Sequence, residues 1–186
     1  MSRFVCAVVL ATLLLGLGSV ASARNTGAQI SIGLTTSEAI ADSTSLTGDV
    51  IVFAVPENDS DPMYFVYGGL KRQFADEAQS WVQPVLGYAG NWFPYDGMVM
   101  GVWAGQTRYG LDLSFDGELV VGGGTVDVFG YHAVDRKIGP VKLGLHAEHV
   151  NEILQVGPHL KYGGFKAQYF VGAGKEALRF NASVNF

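Results

Sequence analysis

Eight polar residues in the last third of the chain carry whatever chemistry it offers: Lys142, His146, Glu148, His159, Lys161, Lys166, Gln168 and Arg179, with Gln155, Asn181 and Ser183 among them. His146 and Glu148 are two apart, so on an extended strand they point the same way. A carboxylate beside an imidazole orients it as a base, or with a third donor completes a metal site. Ser183 is a hydroxyl that such a base would activate as a nucleophile. The competing reading is structural. Lysine, arginine, glutamate and histidine on one enclosed face satisfy one another as ion pairs and hydrogen bonds. That reading is preferred, with no catalytic residue, metal or cofactor expected.

Strands must hold these residues. Through 141–186 apolar and polar residues alternate, the period of a strand with two unlike faces. Two-residue turns fix the pairing, because a slip of one residue turns every side chain over. A turn at Asn151-Glu152 sets Ala147 against Val156, Leu145 against Pro158, Leu143 against Leu160 and Val141 against Tyr162. It also sets Glu148 against Gln155, Lys142 against Lys161, and His159 against Gly144, beside His146. A turn at Gly163-Gly164 sets Leu160 against Ala167 and Val156 against Val171. A turn at Gly174-Lys175 sets Val171 against Leu178, Tyr169 against Phe180 and Phe165 against Val184. All three keep one face apolar and the other polar. Further back, Asp116-Gly117 is a strong hairpin signal. It pairs Leu113 with Val120, Tyr109 with Gly124 and Trp103 with Gly130, large rings covering glycines.

The last strand is the clearest. Leu178, Phe180, Ala182, Val184 and Phe186 alternate with Arg179, Asn181, Ser183 and Asn185. A closing strand of this pattern, ending on an aromatic residue, resembles the bacterial outer-membrane β-barrel proteins. The resemblance covers about the last ten residues. It implies a transmembrane barrel whose partners are outer-membrane lipid and the insertion machinery, the latter reading Leu178, Phe180, Ala182, Val184 and Phe186. Outer-membrane lipid hydrolases work with serine and histidine, but the His-x-Ser motif is absent here. That departure counts against an enzyme.

Composition agrees with this. Residues 1–23 read as a secretory signal: Arg3, an apolar run from Phe4 to Leu17, and Ala21-Ser22-Ala23 for cleavage. Cys6 leaves with it, so 24–186 has no thiol or disulfide. The remainder is one domain by size. A formal net charge of −5, more negative once Arg3 is lost, argues against a nucleic-acid partner. Hydrophobic residues make up 48% and charged residues 16%, the latter low for a water-soluble domain, and no later stretch is a spanning helix.

The expected fold is all-β, an antiparallel up-and-down transmembrane barrel of about ten strands at 28–35, 49–55, 63–71, 81–90, 97–115, 118–133, 139–150, 153–162, 165–173 and 177–186. Eight remains open if an early strand is misread. Twelve remains open if the long pair breaks at Gln106 and Gly122-Gly123-Gly124. Residues 37–48 read as a loop with at most a helical turn, 72–80 as a charged loop, and Pro84 as an irregularity. An even count returns both ends to one side. On that count Trp92, Phe93, Tyr95, Tyr131, Tyr162, Phe165 and Phe186 gather at one edge as an aromatic girdle. His132 and His149 fall near opposite rims without a role. A lumen rich in Gln, Asn, Ser, Gly and His favours apolar-out packing over a soluble barrel. The expected function is therefore a non-enzymatic outer-membrane barrel, structural or passing small solutes. The alternatives are a lipid- or lipopolysaccharide-modifying hydrolase and a soluble periplasmic ligand-binding barrel.

Overall fold

Period-two alternation and short turns carry the chain back and forth until its first strand meets its last. The computed structural model describes residues 27–54, 62–92, 95–172 and 175–185. They form β1 (Gly27–Ala41), β2 (Thr44–Ala54), β3 (Met63–Gln73), β4 (Trp81–Trp92), β5 (Tyr95–Arg108), β6 (Leu111–Gly122), β7 (Thr125–Ile138), β8 (Val141–Val150), β9 (Ile153–Tyr162), β10 (Phe165–Gly172) and β11 (Lys175–Asn185). Each strand pairs antiparallel with the next, and β1 pairs in parallel with β11, from Gly27↔Ala177 to Thr35↔Asn185. The sheet is a closed all-β barrel and leaves no free edge. Among the described residues no helix is long and apolar enough to cross a membrane. The expected signal at 1–23, Phe93 and the terminal Phe186 lie outside the described residues.

The registers read from Asn151-Glu152 and Gly163-Gly164 are present: Ala147↔Val156, Leu145↔Pro158, Lys142↔Lys161, Gly144↔His159, Leu160↔Ala167 and Val171↔Val156. Asn151 (φ 53°) and Gly163 (φ 57°) supply the left-handed backbone these turns need. The last register differs. Val171 faces Glu176, Tyr169 faces Leu178 and Ala167 faces Phe180, because the strands close at Gly172↔Lys175. The offset is two residues, so every side chain keeps its expected face.

The described residues form eleven strands, not ten. Residues 97–133 were expected as one long hairpin about Asp116-Gly117, but that dipeptide sits inside β6, with Asp116 against Trp103 and Tyr131. The chain reverses instead at Tyr109-Gly110 (φ 55° and 73°) and at Gly123-Gly124 (φ 55° and 80°), where the backbone enters the left-handed region. Strands of 14, 12 and 14 residues replace two longer ones. Residues 37–48 are likewise a hairpin, with β1 and β2 joined at residues 42 and 43. Pro84 causes no register shift. It pairs with Val102 on β5, while the ladder to β3 skips from Gly69↔Val85 to Arg72↔Val82.

One extra strand reverses every strand before it. Turns at 42–43, 109–110, 139–140 and 163–164 now share a near rim; those at 123–124 and 151–152 share the far rim. The single aromatic edge is therefore not formed. Tyr109, Tyr162 and Phe165 are exposed at the near rim, whereas Trp92 and Tyr95 end strands at the far rim, and Tyr131 lies inside the barrel. Tyr64 and Tyr88 are exposed toward the far rim with their rings 6.2 Å apart. Rings do cover glycines, with other partners than expected: a side chain at Gly90 would strike Tyr64, and one at Gly105 would strike Trp81.

The two faces are sharply unlike. Outward rows carry Leu86, Met98, Leu119, Val134, Leu145, Val156 and Phe180, all exposed. Inward, the half toward the far rim is aromatic and aliphatic: Phe65, Tyr67, Val85, Ala89, Val99 and Val120. Phe65 stacks on Tyr67 at 5.9 Å, and Tyr67 meets Trp103 edge-on at 4.9 Å. Elsewhere the interior is mostly polar, with Phe170 and Ala133 as buried apolar side chains among it.

Candidate functional site in the barrel lumen

Strand pairing brings one row of inward residues into register across seven strands: Asp112 (β6), Asp135 (β7), Gly144 (β8), His159 (β9), Gln168 (β10), Arg179 (β11) and Gln29 (β1). His146 and Glu148 lie on the rows above it. Seven of the eight expected lumen residues fall into three polar groups about this row: His146 and His159 with Asp135 and Lys161, Arg179 with Glu148 and Gln29, and Lys166 and Gln168 with Tyr131 and Asn181. Lys142 pairs with Asp112 beside it.

The expected partnership of His146 with Glu148 is not made. Glu148 is taken by Arg179, which donates from both terminal nitrogens at 2.6 and 3.0 Å and reaches across the lumen from β11 to β8. Arg179 Nε donates to Gln29 Oε1 at 2.7 Å, and its guanidinium lies over Phe170 at 4.4 Å. A bidentate, charge-assisted pair of this kind is stronger than a neutral hydrogen bond, and here both partners are nearly shut off from solvent. His146 instead meets His159, Nδ1 to Nδ1 at 3.2 Å, and stacks on Tyr131 at 6.0 Å. The carboxylate that orients this pair belongs to Asp135, which contacts His159 Nε2 with one oxygen and Lys161 Nζ at 2.5 Å with the other. His146 Nε2 is buried with no hydrogen-bond partner among the described residues.

Asp135 and His159 sit on strands separated by β8, and Gly144 is what lets them touch. A Cβ there would lie 2.5 Å from Asp135 Oδ1, 2.7 Å from His159 Nε2, and closer still to the Val134 carbonyl. Gly144→Ala should therefore part the His159–Asp135 contact and destabilise the barrel by about 1–3 kcal/mol, the usual range for overfilling a packed site. The midpoint of urea unfolding measures it; an unchanged midpoint would show that the contact is dispensable.

The remaining members complete the interior. Lys166 donates to the Tyr131 hydroxyl at 2.9 Å, Gln168 donates to the same oxygen at 3.2 Å, and Asn181 donates to Gln168 at 2.6 Å. Ser183 is not near an imidazole; its hydroxyl donates to the Gly164 carbonyl at 3.2 Å. A separate group on the other wall joins Tyr67 and Trp103 to Glu118 at 2.9 and 2.6 Å. Asp135, Tyr131, Asp112 and Glu118 are the functional-looking residues the sequence reading missed. The signal for Asp135 was available, since a tight turn at Gly139-Pro140 places it opposite Gly144 and next to His159. His132 and His149 are not isolated: their rings stack at 5.8 Å on β7 and β8.

Of the insertion-signal residues, Leu178, Phe180 and Val184 are exposed on the outer face, and Ala182 is half-buried between them. The chain matches no family model, no curated protein and no solved structure.

Proposed function

We propose that the chain is an integral outer-membrane β-barrel with no catalytic role, closed by its own side chains. One observation carries the reading: the barrel's outer face is apolar while its buried charges all lie inside. Leu86 and Leu145 are 65% and 66% exposed on the outer face, while the Arg179 and Glu148 side chains inside are 11% and 9% exposed. A water-soluble barrel has the opposite arrangement, and outward leucines, valines and aromatic rings in unbroken rows suit hydrocarbon. Strands of 8 to 15 residues include the roughly 9–11 that a tilted spanning strand needs. Exposed aromatic rings at both rims fit the two interfaces of a bilayer. Eleven is a departure from the even counts of bacterial barrels, although odd membrane barrels exist.

Closure is supported by the filling of the lumen. Phe170, Gln168, Val99 and Val120 are all under 2% exposed, and Arg179–Glu148 and Lys166–Tyr131 run across it. In salt wash or osmotic shock the protein should stay with the membrane fraction, and detergent should release it. Release without detergent would return the soluble-barrel reading. In a planar bilayer the folded protein should add no conductance to the bare membrane; discrete steps would show an open pore instead.

A further inference from the structure

We propose that the near rim of the lumen is a binding site for a phosphate-bearing anion, held by Lys137, Lys142 and Lys161. The observation is a row of like charges that strand pairing does not tolerate for free. Lys137 on β7 pairs with Lys142 on β8, Lys142 pairs with Lys161 on β9, and Lys161 pairs with Lys166 on β10. Four ammonium-bearing residues thus stand on one inward row of four adjacent strands, in a chain whose formal net charge is −5. Neighbouring strands lie about 4.8 Å apart, and like charges directly opposite one another oppose pairing.

Three carboxylates, Asp112, Asp135 and Asp116, act on the four lysines and do not fully balance the row. Asp112 takes Lys142 at 2.6 Å, and Asp135 takes Lys161 at 2.5 Å while also holding His159. Lys166 is drawn inward to Tyr131. Lys137 is exposed and makes no ion pair among the described residues. Asp116 and Asp135 also act electrostatically on Lys166, so Lys137 is the cation left in excess. The Lys142 and Lys161 side chains are 43% and 27% exposed, so a ligand can reach them from the rim. The turns beside them, at 139–140 and 163–164, are only two residues long.

The row contains lysine and no arginine. A guanidinium fork matches a planar carboxylate, whereas several independent ammonium groups suit a tetrahedral phosphate approached from several sides. A bridging phosphate or diphosphate would offset the repulsion that the apo row carries. The site is on the inner wall, and it depends on the barrel and its register, not on the membrane placement proposed above. Loss of phosphate binding would leave that placement intact.

The test uses the full chain folded in neutral detergent. Pyrophosphate and inorganic phosphate are titrated at constant ionic strength against sodium chloride, with binding heat and the urea midpoint as readouts. Binding should be saturable and should raise the midpoint. Lys137→Gln/Lys142→Gln should weaken it at least tenfold. Lys137→Gln alone gives up no ion pair, so it should fold as the parent does and still weaken binding. Arg108→Gln, on the outward row, should change affinity less than twofold. Saturation by soluble pyrophosphate identifies a free anion. Protection only by micelles containing phosphatidic acid, and not phosphatidylcholine, identifies a lipid headgroup; either supports the site. No binding of either source, or lysine variants that bind like the parent, overturns it.

Discussion

Replacing Glu148 with alanine should destabilise the folded barrel by about 3–5 kcal/mol, the cost of breaking a buried ion pair from one side. The substitution strands the Arg179 guanidinium in the lumen with Gln29 and the faces of Phe170 and Phe53 as its remaining contacts. Arg179→Ala should cost at least as much, because it removes those ring and amide contacts and leaves a carboxylate with no cation. Removing both charges together should not add the two losses. A Glu148→Leu/Arg179→Leu double variant should recover most of the stability, since apolar pairs of similar volume often replace buried ion pairs without loss. Urea unfolding of all variants, with midpoints compared at equal slope, measures this as a double-mutant cycle. Additive losses would show that the two side chains act separately and that the cross-lumen chord is incidental.

Leu145→Arg should be the second large effect, and its size depends on what surrounds the barrel. At mid-height in a bilayer, arginine on the lipid face costs about 2–4 kcal/mol, falling to about 0–1 near an interface. On a water-exposed face the same change is usually within about 0.5 kcal/mol of neutral. Leu145 lies midway along β8, paired with Val134 and Pro158, and is exposed. Ile138 ends β7 at the near rim and is exposed too. Leu145→Arg should therefore lower folding stability in lipid vesicles several-fold more, in free energy, than Ile138→Arg. Equal and small effects at the two depths would remove hydrocarbon as the neighbour of these rows.

Much of this architecture was legible because hairpins with tight turns leave little freedom. From Val141 to Val171 the turn dipeptides sit where left-handed backbone is needed, and the apolar pattern admits no other register. The offset at β10–β11 escaped notice because a two-residue slip preserves which face each side chain takes. Asp116-Gly117 misled for a different reason. Its residues satisfy a turn locally, but tertiary pairing used Asp116 as an inward strand residue and Gly117 between Val102 and Gly130. Tyr109 at positive φ was an unlikely place for a reversal by residue type, and Gly110 beside it was the cue. In the lumen, membership was legible from alternation alone. Partnership was not, because Arg179–Glu148 and Lys166–Tyr131 join strands two or more apart around the barrel, a distance that depends on closure and curvature.

Closure in parallel has a topological price for the polypeptide. With eleven crossings among the described residues, residues 27 and 185 emerge at opposite mouths of the barrel. Should the barrel span a membrane as proposed, a protease confined to one compartment would trim a tag fused ahead of residue 27 or one fused after residue 185, never both. The seam joining them links positions about 150 apart in sequence, as Gln29↔Arg179 and Ser31↔Asn181 do, so its closure carries the largest loop entropy of any ladder among the described residues.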